Sequence, residues 1–180
     1  MPFDSPSLTV RRVSDQHWEV LEPLVYRGNR DTFVVPAGFR TDFASVPRVV
    51  VWLIPRFGRY TPAAVLHDWL TSAGLRTGVV SSRDADGIFR RVMAELQVPP
   101  VRRWLMWAGV RWGALTDPQR RPGWLVSAPG VLVVTVLAAP VVLPPSVAIV
   151  PGLLVYGLAE WVVGRLVPDR RDRLVIPTGR

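Results

Sequence analysis

Three short strings carry the residues able to do chemistry. They are GFRTDFASVP at 38–47 with Asp42, AAVLHDWL at 63–70 with His67 and Asp68, and SSRDADGIF at 81–89 with Asp86. Asp86 has Phe89, Met93 and Leu96 three, seven and ten residues on, so it shares the apolar stripe of its predicted helix. A carboxylate on a core-facing stripe must be paired, hydrogen-bonded or bound to a metal, because an isolated buried charge is costly. His67 stands in the same situation, with Ala63, Leu66, Leu70 and Gly74 on its face. Asp68 points about 100° around the helix from His67, so the two side chains need not converge.

Three readings of these residues compete. In the first, Asp42, His67 and Asp86, with or without Asp68, bind a divalent metal that activates water, making a metal-dependent hydrolase. The His-Asp doublet is similar to that of metal-dependent phosphohydrolases, but these need a further histidine earlier in the chain. Only His17, in a predicted strand, is left to supply it. In the second, Ser45 is a nucleophile served by His67 and Asp42, although no GxSxG-like turn presents it. In the third the residues are structural: Asp42 bonds the turn, Arg40 or Arg83 pairs with Asp86 or Asp68, and His67 is a satisfied core histidine. No cofactor other than a divalent metal is called for.

The elements that position these residues read as α+β. Ser7–Val13, His17–Leu21, Leu24–Tyr26 and Thr32–Val35 are short, β-rich and separated by turn residues. Arg48–Ile54 is an apolar run of undecided type. Thr61-Pro62 opens a helix, with Thr61 as cap, that stops near Gly74. Ser81–Val98 is the clearest helix, opened by the Ser81/Asp84 pair and ended by Pro99-Pro100. A further helix from Val101 to about Leu115 places Val101, Trp104, Leu105, Ala108, Trp112 and Leu115 on its packed face, with arginines outside. The expected domain, residues 1–118, is one small antiparallel sheet of three or four strands covered by three helices.

The ordered set GFxTDFASVP, HD[WY]L and SRxxADxxF resembles a domain-of-unknown-function family of small phage and prophage (Gifsy-type) proteins, over about residues 30–115. The resemblance implies one fold unit and a phage-related origin, and no reaction. It marks Gly38, Phe39, Thr41, Asp42, Phe43, Ser45, Pro47 and Arg83 as motif residues. The chain departs from the family where Thr71 follows Leu70 in place of a common tyrosine, and in its hydrophobic C-terminal third.

Composition sharpens that departure. The chain has 180 residues, is 49% hydrophobic, and carries a formal charge of +8 with no cysteine. Disulfides, thiolate metal sites and cysteine nucleophiles are excluded. All 22 basic residues are arginine, so chemistry that needs a lysine amine is excluded too. Residues 1–121 hold 17 arginines and 11 acids, whereas 122–159 hold no charge at all. Residues 119–167 therefore read as a two-span hairpin, 124–143 and 147–167, around Leu-Pro-Pro-Ser at 143–146. Arg120 and Arg121 before the pair, and Arg165 at its far end with Arg170, Arg171 and Arg173 beyond, put both termini in the cytoplasm. Residues 168–180 form a basic tail. The opening residues MPFDSPSLTVRRVSDQHW lack the apolar stretch of a secretory signal, so residues 1–121 are expected in the cytosol. The arginines occur singly or in pairs along the chain, so nucleic acid is the weaker partner and the lipid bilayer the stronger. The function expected is a membrane-anchored accessory protein that contacts a phage or host protein.

Overall fold

The computed structural model describes residues 2–5, 7–28, 31–43 and 46–166. They fall into two compact units, Met1–Val142 and Leu143–Arg180. The first unit opens with five short strands: β1 (Val10–Arg12), β2 (Trp18–Val20), β3 (Leu24–Arg27), β4 (Thr32–Val35) and β5 (Arg40–Thr41). All pairings are antiparallel, but they build two sheets, β1-β2-β5 and β3-β4, in place of the single sheet expected. The reason is edge occupancy. β2 is already paired on one side by β1 and on the other by β5, through Trp18↔Thr41 and Glu19↔Arg40, so β3 finds no free edge on it.

The β2–β5 register fixes the chemistry-bearing loop. Gly38 turns the chain at φ 82°, its N–H reaching the Val20 carbonyl at 2.7 Å. A residue with a Cβ is strained there. The run Arg48–Ile54 resolves as one 3₁₀ turn, Arg48–Val50, followed by further turns.

Four helices follow. α1 (Thr61–Trp69) buries Ala63 to His67 and packs on the strands and on α2 (Ser82–Glu95). Thr61 does not cap it; its hydroxyl accepts the Gly58 N–H at 3.0 Å, and Pro62 sits in the first turn. α1 runs into a π turn, Leu70–Gly74, where Thr71 and Ser72 hydroxyls bond the carbonyls of His67 and Asp68 at 2.8 and 2.6 Å. α2 begins as its sequence indicates, with Ser81 Oγ accepting the Asp84 N–H. It ends in a Schellman motif, Val98 N–H to Met93 O and Gln97 N–H to Ala94 O, with Gln97 left-handed at φ 57°.

α3 (Pro100–Gly113) differs from expectation in its packed face. Val101, Trp104 and Trp112 are exposed, whereas Met106, Ala108 and Arg111 are buried. The arginine lies inside and two tryptophans outside because Arg111 has an acidic partner in the core. That core runs from Val20, Leu24, Tyr26 and Val35 through Leu66 and Leu70 to Val92 and Met93.

α4 spans Trp124–Leu166, 43 residues. Residues 143–146 are helical, so a two-helix hairpin is not what the structure displays; among the described residues there is one helix long and apolar enough to cross a membrane. A proline removes one N–H and crowds the preceding turn, and neighbouring helical bonds can carry the chain through. In the first unit Val131 of α4 is buried, and Gly130 leaves room for Trp107, whose Cη2 would lie 3.3 Å from an added Cβ. In the second unit nearly every described residue is exposed, among them Leu154, Tyr156 and Leu158. The tail at 168–180 lies outside the described residues.

Candidate functional site

Asp86 is wholly buried, and both its oxygens are engaged by donors. Its Oδ1 receives His67 Nε2 at 2.6 Å and Arg120 Nη2 at 2.8 Å; its Oδ2 receives Arg111 Nη1 at 2.9 Å. α1 supplies the histidine because His67 shares the buried face of Leu66 and Leu70, and its ring packs 4.7 Å from Phe89. α3 supplies Arg111, also 0% exposed, and the loop before α4 supplies Arg120. Arg111 continues to Ser127 Oγ at 2.9 Å, and its backbone carbonyl accepts Trp124 Nε1 at 2.9 Å. Arg120 also reaches the Val110 carbonyl at 3.3 Å.

A second carboxyl cluster adjoins the first. Thr41, buried on β5, donates its hydroxyl to Asp68 Oδ2 at 2.5 Å and accepts the Phe43 N–H at 2.9 Å. Asp42 meets Asp68 side chain to side chain, and the field of Arg120 reaches Asp68 as well. Phe43 holds φ 65° and is buried, its ring 4.9 Å from Trp18 and 5.3 Å from Phe57. That residue in the left-handed region follows Asp42, which meets Asp68 on α1, and its own ring packs with Trp18 and Phe57.

The two clusters differ in charge. Burial pushes the Asp68 carboxyl well above the usual carboxylate range, and the Asp42 charge adds to the rise against the pull of the Thr41 hydrogen bond. For Asp86 burial acts in the same upward direction but is outweighed. The hydrogen bond and field of His67, then Arg120 and Arg111, hold it below the usual range. Asp68 thus keeps its proton where Asp86 has long lost it.

The predicted site residues therefore separate into those brought together and those left apart. Asp42 and Asp68 meet each other, and His67 meets Asp86. Arg40 and Arg83 are not the partners of Asp86; Arg111 and Arg120 are. Arg83 stands exposed on α2, Pro47 opens the 3₁₀ turn, and Phe39 packs at the edge of the core. Ser45 lies outside the described residues. No group of three or more His, Asp or Glu side chains among the described residues is placed to hold a metal ion. A carboxylate with both oxygens bonded to cations has little left to offer one.

Sequence reasoning missed Arg111 and Arg120. Arg111 was open to discovery, since it falls three residues after Ala108 and seven after Trp104, on a helical stripe with residues assigned to the packed face. Arg120, in a loop, gives no periodic signal.

A family described as Protein of unknown function (DUF1353) matches residues 18–110. The matched stretch contains Thr41, Asp42, His67, Asp68 and Asp86 and stops one residue before Arg111. No curated protein and no solved structure matches the chain.

Proposed function

The chain belongs to the DUF1353 family of proteins of unknown function, and on that footing we propose that it is a membrane-anchored accessory protein of phage or prophage origin, acting through protein contacts of its first unit. The carrying observation is α4. It has a mean hydropathy of 2.3 over its most apolar window and exposes most of its large apolar side chains. Water covers such a surface at high cost, whereas lipid covers it at none. Alkaline carbonate extraction of membranes tests this: the protein is expected in the pellet, and release to the supernatant overturns the anchor.

The membrane form we propose has two crossings. A 43-residue helix is about 64 Å long, roughly twice the hydrocarbon core of a bilayer. Pro144-Pro145 lies near its middle, where the missing N–H groups make bending cheapest. Two crossings leave Arg120 and Arg121, like Arg165, on the cytoplasmic side. Because the chain has no cysteine, single Ser146→Cys and Thr116→Cys variants report directly. An impermeant maleimide applied to intact cells is expected to label position 146 and spare 116; labelling of neither, or of 116 alone, overturns the two-crossing form.

A non-catalytic role suits the polar centre too. His67, Arg111 and Arg120 all converge on the Asp86 carboxylate, which supports a device that ties elements together. The alternative, a metal-dependent hydrolase built on Asp42, His67 and Asp86, has no comparable support in this arrangement, because both Asp86 oxygens are bonded to arginine or histidine.

A further inference from the structure

We propose that the groove between α2, α3 and the first turns of α4 seats the phosphate of an anionic phospholipid headgroup. This rests on the membrane reading above and deepens it. The groove is open to solvent, has a volume of about 1300 Å³ and belongs wholly to the first unit. Arg83, Arg90 and Arg91 line it from α2, and Arg103 and Arg111 from α3. None of the first four belongs to an ion pair among the described residues. Asp31 and Asp84 line it as well, but Asp84 is engaged by the Ser81 hydroxyl at 2.6 Å, and the arginines outnumber the two acids. Four guanidinium groups without acidic partners on one concave surface repel each other, and an anion relieves that repulsion.

The groove is also built, not merely charged. Arg90 lies 4.3 Å over the Trp104 ring, and Trp104 meets Trp107 edge-on at 5.4 Å, which restrains the cation at the wall. Arg111 is fully buried, with its Nη2 lacking any hydrogen-bond partner, so an unmet donor lies behind the wall. The guanidinium fork fits phosphate oxygens in pairs.

Lipid is the occupant because of where the groove leads. One wall is β4 and the stretch before α2, with Thr32, Phe33 and Val80; another is Val126, Ser127 and Gly130 of α4, where Leu125 and Val126 are 81% and 63% exposed. A phosphate seated among the arginines would let its acyl chains lie along that apolar helix. Tryptophans at the same level suit the interface of a bilayer. A nucleic acid offers phosphate but nothing to cover the helix.

Native mass spectrometry of the full chain, released from mild detergent containing equal phosphatidylglycerol and phosphatidylcholine, tests the assignment. The wild type is expected to retain phosphatidylglycerol preferentially. Arg90→Gln and Arg103→Gln should each lower that retention about fivefold, while Arg56→Gln/Arg59→Gln on an exposed loop leaves it unchanged. Arg91→Gln, at an exposed position, repeats the test should either variant fail to fold. Equal retention of the two lipids, or retention unchanged in the variants, overturns the groove. So does full displacement of phosphatidylglycerol by inorganic phosphate or by a single-stranded oligonucleotide. A protein that stays in the carbonate pellet yet shows no lipid preference sinks the groove alone; release from the pellet sinks the anchor itself.

Discussion

Replacing Asp86 with Asn leaves the shape of the side chain but removes the charge on which three donors converge. The bonds at stake are His67 Nε2 at 2.6 Å, Arg120 Nη2 at 2.8 Å and Arg111 Nη1 at 2.9 Å, with Asp86 and Arg111 both wholly excluded from solvent. An amide keeps one acceptor oxygen and turns its NH₂ toward an arginine, Arg111 or Arg120, that can only donate. Stranding a buried cation in this way costs about 3–5 kcal/mol. A domain of this size is stable by about 5–15 kcal/mol, and each kcal/mol moves its melting temperature by about 2–4 °C. Asp86→Asn should therefore melt about 6–20 °C below the wild type, read by near-ultraviolet circular dichroism of the full chain in mild detergent. Asp15→Asn, whose side chain is 96% exposed in its bridge to Arg12, is the control and should shift little. Asp86→Leu combined with Arg111→Met should recover part of the loss, since it removes the stranded Arg111 along with its partner. Because the Asp86 carboxyl is held below the usual range, its contribution is present at neutral pH and is lost as pH falls through that lowered value. Asp86→Asn should thus also lose part of the acid sensitivity of the wild type. A variant melting within about 2 °C of wild type would refute the claim that this network holds the domain together.

Asp68 has the opposite sign. Its raised value means that its contribution is complete below the ordinary carboxylate range and drains away as pH rises through the raised one. Asp68→Asn should therefore gain on the wild type as pH goes from mildly acidic to mildly alkaline; parallel melting curves at both would contradict this. Thr41→Val removes the donor to Asp68 and the acceptor of the Phe43 N–H, and should destabilise by about 1–3 kcal/mol in thermal melts; no loss would count against the pairing. Gln97→Gly, at an exposed left-handed position, should stabilise by about 1 kcal/mol, and a fall in melting temperature would show that Gln97 makes a contact beyond its backbone.

What the sequence reveals here is mostly local. The Ser81–Asp84 cap, the α2 stripe and the strand pieces at 24–27 and 32–35 follow from neighbours within a few residues, where periodicity and turn chemistry act. That Asp86 needs a partner is equally local, since its stripe can be counted. Which partner it has is not, because Arg111 and Arg120 stand 25 and 34 residues away and reach it only after α3 folds back on α2. The meeting of Asp42 with Asp68 likewise depends on β5 pairing with β2, a register that no single stretch encodes. The Pro-Pro pair reads as a turn by propensity, but the backbone of α4 passes through it as helix.

The bonds from α3 to the beginning of α4 also set how the domain carries mechanical load. Ser127 and Trp124 bond Arg111, Thr135 bonds Trp112, and Arg111 leads through Asp86 to His67 on α1. A pull on the first turns of α4 is shared by those cross-links working in parallel, and does not fall on the connecting residues 114–123 alone. With the proposed anchor, tension from a moving bilayer would thus arrive in the middle of the domain and load the buried ion cluster. Single-molecule pulling should find wild type and Asp86→Asn parting at clearly different forces; equal forces would mean that the load takes another route.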